Sequence, residues 1–174
     1  MKIYLIGGKA KSGKNTVSTI IKEYYETNNT SVCEIQITRT IKAYAKDYFG
    51  WDGNEDTKPR KLLQDLGNRI REKNKLFHVG RLCEDIEILK NAFSVFIVND
   101  IRFPFEIEEI KKKFKDVVVI GVEMEHYVSP LTAIEERDVT EHALDNYKDY
   151  DYKIINKDIS TLKKDVISIL KGGK

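Results

Sequence analysis

Ile3-Tyr4-Leu5-Ile6, followed by Gly8-Lys9-Ala10-Lys11-Ser12-Gly13-Lys14-Asn15-Thr16, is the stretch on which the fold turns. An apolar run of strand character feeds a loop bounded by glycines and rich in lysine. Behind it, Val17, Ile20, Ile21 and Tyr24 recur at helical spacing. Strand, GxxxxGK loop and helix in that order make a phosphate-binding loop. Gly8 and Gly13 let successive backbone N–H groups turn into one concavity suited to anionic oxygens. Lys14 adds an ammonium for the β- and γ-phosphates, and the helix that opens with it adds its positive end.

One position departs from the general pattern, which has Ser or Thr directly after the lysine to reach Mg²⁺. Asn15 holds that place, and the hydroxyl comes one residue later at Thr16. An Asn carbonyl can serve, or the metal can keep mostly water and phosphate oxygens. Contacts to a nucleotide are expected from Gly8, Lys9, Lys11, Ser12, Gly13, Lys14, Asn15 and Thr16, and metal contacts from Asn15 and Thr16.

Outward from the loop, strand-like and helix-like patterns alternate, the signature of an α/β domain with a mainly parallel sheet. Strands are expected at Lys2–Ile6, Val32–Ile37, Phe93–Val98, Val117–Val122 and Tyr152–Ile155. Helices are expected at Lys14–Thr27, Thr40–Phe49, Pro59–Lys73, Leu76–Lys90, Pro104–Phe114 and Ile159–Leu170. The polar stretch from Glu123 to Tyr150 is the candidate lid, and the Lys171–Lys174 tail reads as frayed. Length fits one domain over 1–174, large enough to bury about 70% of its unfolded surface.

Composition narrows the partners. Hydrophobic residues are 41% and charged residues 33%, an ordinary globular balance, and the net charge of +2 gives no field that demands nucleic acid. The longest apolar stretch, Ala92 to Val98, is too short to span a membrane, and the run behind Met1-Lys2 is too short for a signal peptide. Cys33 and Cys83 stand apart from each other and from His78, His126 and His142, which points to a reducing cytoplasm and to no metal cluster. A small-molecule substrate is the expected partner; a homodimer is left open.

Asp100 follows the most apolar strand, and ligands of open α/β sheets sit beyond the carboxyl ends of strands. A carboxylate there can hold the water shell of Mg²⁺ or meet a phosphoryl acceptor. Arg102 can fork onto an acceptor phosphate. The plainer alternative is that Asp100 caps the next helix while Arg102 pairs with Glu106. On the helix from Pro59, the residues Arg60, Gln64, Gly67 and Arg71 fall within about 60° of one another, apart from a face of Leu62, Leu63, Leu66 and Ile70 expected to enter the core. That polar stripe suits a phosphorylated acceptor with a base to read, or is simply solvated.

Together these blocks resemble the phage-type deoxynucleoside monophosphate kinases of the nucleoside monophosphate kinase superfamily. Gly8–Thr16 is similar to that family's GKxxSGKDT, with Asn15 in place of Asp, and Arg60–Gly67 to its RxxLQxLG, followed by Asn68. Asn99-Asp100-Ile101-Arg102-Phe103-Pro104 is similar to its (S/N)DVRFP, followed by Glu106. Thr140-Glu141-His142-Ala143-Leu144 and Asp151–Asn156 resemble its SE-x-x-L lid exit and DxxIxN strand. The resemblance implies five parallel strands flanked by helices with the P-loop kinase fold, Mg²⁺–ATP as donor and a (deoxy)nucleoside monophosphate as acceptor. Lys14, Asp100, Arg102 and Arg137 would be catalytic, with Arg137 closing from a lid over about 123–150. Arg60, Gln64, Gly67, Arg71, Asp100 and Arg102 would hold the acceptor, among helices spanning about 38–91. Asp100 would join Asn15 and Thr16 at the metal, and Asn156 would lie against the donor nucleotide. In-line transfer to a phosphate oxygen needs positioning and charge neutralisation, with no general base.

Two other readings share the letters. Phosphomevalonate kinases of the animal type carry a similar loop and a comparable DxR. A nucleotide switch would need NKxD and DxxG, and Asn156-Lys157-Asp158 and Asp47-Tyr48-Phe49-Gly50 match these only by accident of letters.

Overall fold

In the computed structural model, which describes residues 1–173, β1 (Lys2–Gly7) is the middle strand of a five-stranded sheet. The others are β2 (Val32–Ile35), β3 (Val95–Ile101), β4 (Val117–Met124) and β5 (Tyr152–Asn156), in the order β2-β3-β1-β4-β5. All pairings are parallel, so each link is a crossover. The crossovers carry α1 (Lys14–Thr27), then α2 (Arg39–Phe49), α3 (Arg60–Lys73) and α4 (Phe77–Leu89), then α5 (Pro104–Lys113), then the short α6 (Ala133–Glu136) and a 3₁₀ turn at Val139–Glu141. The chain closes with α7 (Ile159–Leu170).

Alternation along β1 splits the core in two. Tyr4 and Ile6 pack with α1 and α7 through Val17, Ile21, Leu162 and Val166. Ile3 and Leu5 face α4 and α5 through Leu82, Ile86, Ile107 and Ile110. Central strands buried on both faces read as apolar runs, as Val95–Val98 does.

Three local departures from the sequence pattern position the site. β2 ends at Ile35 because the next amides leave the ladder: Ile37 and Thr38 donate their N–H groups to the Asp100 carboxylate. β3 carries one extra residue against β1, Leu5 pairing with Val98 but Gly7 with Ile101. Such a bulge re-aims side chains, here at Asn99 and Asp100. Third, Gly7 and Gly121 pair across β1 and β4, and a Cβ on either would press Leu144 or the Tyr150 ring at 3.1 Å. Leu144 and Tyr150 therefore pack against the two glycines and tie the connection 125–151 to the sheet.

The leucine face of α3 does not enter the core. Only Gly67 is buried in that helix, against Ile41 of α2, while Leu62, Leu63, Leu66 and Ile70 are half-buried. α3 packs on α2, α4 and α6, away from the sheet. At the carboxyl end, Lys171, Gly172 and Gly173 turn back and donate to carbonyls of the last turn of α7, so they finish the helix instead of fraying; Lys174 lies outside the described residues.

Candidate functional site

The loop between β1 and α1 has the strained backbone its glycines allow. Gly8 has φ +149° and Gly13 φ +109°, and Lys11 also adopts positive φ at 58°. A side chain on Gly8 would collide with the Val122 carbonyl oxygen. At Gly13 a Cβ would sit 2.5 Å from Nδ2 of Asn156. Nδ2 of Asn156 donates to the Ser12 carbonyl at 3.0 Å, so Asn156 braces the loop from β5. The acid that an NKxD motif needs falls one place early, at Asp158, which caps α7 by accepting Thr161 N–H. Asp47–Gly50 is equally unsuited to a switch, because Gly50 is the left-handed cap ending α2.

No side chain caps the first turn of α1, which leaves its N–H groups for an anion. Ser12 Oγ is buried with no hydrogen-bond partner among the described residues, and a phosphate oxygen would satisfy it. Nζ of Lys14 donates to the Lys9 carbonyl at 2.6 Å, folded back into its own loop. Burial, and then Arg102, lower its pKa to about 7 against the opposing pull of Glu141 and Asp100. An incoming phosphate reverses that balance. Lys11 faces the open mouth of the loop, and Lys9 reaches Asp145 at 3.4 Å.

The expected metal residues are partly committed elsewhere. Asn15 Oδ1 lies 3.4 Å from Nδ2 of Asn99, which also donates to Glu34 at 2.6 Å. Asp100 accepts Ile37 N–H at 2.9 Å, Thr38 N–H at 3.1 Å and the Thr38 hydroxyl at 2.6 Å. It does not cap α5; it clamps the exit of β2 to the bulge of β3 and lines the cavity over the loop. Glu106 caps α5 instead, accepting the N–H groups of Arg102 and Phe103 at 2.8 and 3.0 Å. Thr16 remains the protein oxygen of the expected set that faces the cavity over the loop uncommitted. A Mg²⁺ bound there would draw on few protein oxygens and could keep much of its water shell.

Beside the loop, a cleft of about 130 Å³ is walled by Arg60, Gln64, Arg71, Asp100 and Arg102, so the structure gathers the α3 stripe with the residues after β3. Gly67 stands behind it, where Ile41 and the Arg71 guanidinium would each meet a Cβ at 3.1 Å. Gln64 Nε2 donates to the Glu135 carbonyl at 2.9 Å, while its Oε1 is buried and unpartnered. Arg71 stacks over Phe103, 4.8 Å from the ring centre, and donates to Asn68. Two cations that the motifs do not flag complete the wall, Lys42 on α2 and Lys58 before α3. Burial, then Lys58, lowers the pKa of Lys42, and Glu55 bridges the two lysines at 3.9 and 2.9 Å. Glu106, at the floor, is pushed up to about 7 by burial, against the two backbone N–H groups it accepts.

Arg102 does not pair with Glu106 through its side chain. Its guanidinium meets the buried carboxylate of Glu141 at 2.9 Å. On the far side of that pair a second cavity of about 330 Å³ runs under Tyr127, Tyr147 and Tyr150 to Gly8 and Ser12. Arg137 is not brought to the site: it is exposed at the end of α6 and lines neither cavity. Asp138 Oδ1 instead caps the following turn through Thr140.

No family model matches the sequence, and no curated protein matches it either. A solved structure of a mutant APS kinase from Mycobacterium tuberculosis is similar at TM-score 0.51 and 13% identity, covering 98% of this chain and 96% of that one. Shikimate kinase from Aquifex aeolicus is similar at TM-score 0.49 and 17% identity, covering 99% and 97%. The strand order, the loop and the first of these likenesses identify the fold as that of the P-loop kinases and nucleoside triphosphatases. Among the described residues, no helix is long and apolar enough to cross a membrane.

Proposed function

We propose that the chain is a small-molecule kinase that moves the γ-phosphoryl group of Mg²⁺–ATP onto the phosphate of a (deoxy)nucleoside monophosphate. The observation that carries this reading is the cleft beside Lys14. It combines a phosphate fork, Arg102 with Lys42 and Lys58, and a buried, unpartnered carboxamide oxygen at Gln64 that can accept from a base.

Each residue then has a defined task. Ser12, the first N–H groups of α1 and Lys14 bind the donor's phosphates. Arg102, Lys42 and Lys58 neutralise the acceptor phosphate and aim its oxygen at the transferring group. Asp100 holds the floor of the site in place and is a positioning residue. Mg²⁺ would supply charge neutralisation across the donor's phosphates, and Thr16 is a protein oxygen that could hold it. The connection 125–151 excludes water from the cleft as a lid, which protects the donor from hydrolysis.

The test is ADP release from Mg²⁺–ATP against a panel of ribo- and deoxyribonucleoside monophosphates, with phosphomevalonate included. Release that depends on a nucleoside monophosphate is the expected result. Release with phosphomevalonate alone would replace the acceptor, because Lys42, Lys58 and Arg102 read a phosphate whatever it is attached to. Slow hydrolysis indifferent to every acceptor would remove the kinase reading.

A further inference from the structure

Arg102, assigned above to the acceptor phosphate, is in this structure held by the lid, and so are Gln64 and Asn68 of α3. Arg102 Nη1 meets the Glu141 carboxylate at 2.9 Å and the Thr140 carbonyl at 3.5 Å. Gln64 donates one amide hydrogen to the Glu135 carbonyl. Asn68, which also receives Arg71, donates to Asp138 at 2.7 Å. Glu135, Asp138 and Glu141 lie on one short segment, held by a capping box at Thr132 and by the Asp138 cap. Glu141 is 9% exposed and lines both the acceptor cleft and the cavity beyond it.

We propose that Glu141 is an internal stand-in for the acceptor phosphate: its carboxylate occupies Arg102 until the acceptor displaces it. This rests on the assignment of Arg102 to the acceptor phosphate. A carboxylate and a phosphate offer a guanidinium the same pair of anionic oxygens, so they compete for one fork. They do not share it comfortably, because a second anion at that point faces the donor's phosphates as well, and like charges at close range in a water-poor cleft repel strongly. Displacing Glu141 loosens the turn at Val139–Glu141, and with it the ties of Glu135 and Asp138 to α3. One exchange therefore frees Arg102, Gln64 and Asn68 together. While Glu141 is in place, its negative charge stands near Lys14, where a hydrolytic transition state would need positive charge. The same contact thus taxes acceptor binding and restrains hydrolysis without an acceptor.

The experiment is calorimetric titration with inorganic phosphate, which needs no knowledge of the acceptor. It compares the wild type, Glu141→Gln, Asp138→Ala and each of these in an Arg102→Ala background. Glu141→Gln is expected to tighten phosphate binding about three- to tenfold, since a site bound by its own occupant shows only its free fraction. Asp138→Ala, which releases the turn without touching Glu141, should move the affinity the same way. Both gains should vanish when Arg102 is absent. Unchanged or weaker binding in both variants would overturn the proposal, as would a gain that survives Arg102→Ala. Because the probe is phosphate alone, a failed nucleotide panel leaves this result readable. Once an acceptor is known, Glu141→Gln should lower its KM with little change in kcat and raise hydrolysis without acceptor. A raised KM with a lowered kcat would instead make Glu141 the residue that orients Arg102.

Discussion

Replacing Asp100 with alanine separates two roles that its place after β3 allows. The structure commits its carboxylate to two backbone N–H groups and the Thr38 hydroxyl, all within 3.1 Å. A hydrogen bond to a charged acceptor contributes about 1.5–3 kcal/mol, and a donor left bare costs a similar amount. The three bonds share two oxygens and lie only partly buried, so the low end applies and simple addition overcounts. Asp100→Ala should therefore lower the unfolding free energy by about 3 kcal/mol. Asp100→Asn keeps one accepting oxygen but turns an N–H toward the Thr38 donor, and should cost about 1–2 kcal/mol. Urea denaturation followed through Trp51, the chain's one tryptophan, measures both. A loss below about 1 kcal/mol for Asp100→Ala would refute the clamp. If activity nevertheless collapsed, the carboxylate would belong to the metal or the acceptor.

The remaining predictions address the loop, the fork and pH. Lys14→Ala should cut phosphoryl transfer at least about 10³-fold while lowering stability less than Asp100→Ala does, because the ammonium is disfavoured where it is buried; a variant keeping a tenth of wild-type transfer contradicts the role. Arg102→Ala should raise the acceptor's KM by about 10- to 100-fold and leave that of ATP within a few-fold, as loss of one charged fork implies; equal loss for both would place Arg102 on the donor side. Glu106 is pushed from 4.5 to about 7, so the folded state holds its proton where the unfolded chain has lost it. Stability from this group is full below pH 4.5 and is lost as pH rises to 7, by about 3 kcal/mol, a slope that Glu106→Gln should flatten in urea titrations. Lys14 gives the opposite sign: its lowered pKa makes stability rise between pH 7 and 10.5, and Lys14→Ala should remove that limb.

Much of the frame was legible because local chemistry and tertiary position agree. The loop at Gly8–Thr16 sits between an apolar strand and an amphipathic helix, and no rearrangement of the rest alters that order. Where they disagreed, a long-range contact prevailed. Ile37 has the alternation of a strand residue, yet its N–H goes to Asp100, sixty-three positions away in sequence. The leucines of α3 have a core-like spacing, yet that helix packs on other helices and buries only its glycine. Arg137 looks like a lid arginine by letters, but the Asp138 cap turns the chain so that Glu141 reaches Arg102 instead. That cap and the Thr132–Glu135 capping box were written in the sequence and would have marked the short elements of the lid. Lys42 and Lys58 carried no signal of their own; only the packing of α2 beside α3 makes them neighbours of Arg102.

The most direct measurement of the central claim follows the phosphoryl group itself. ATP labelled in the γ-phosphate is incubated with Mg²⁺, the protein and each nucleoside monophosphate, and the products are separated by chromatography. The account predicts label in a nucleoside diphosphate with one or a few bases, and its sharp reduction in Arg102→Ala when the acceptor is held near the wild-type KM. Label recovered only as inorganic phosphate, at a rate blind to every acceptor and to Arg102, would contradict it.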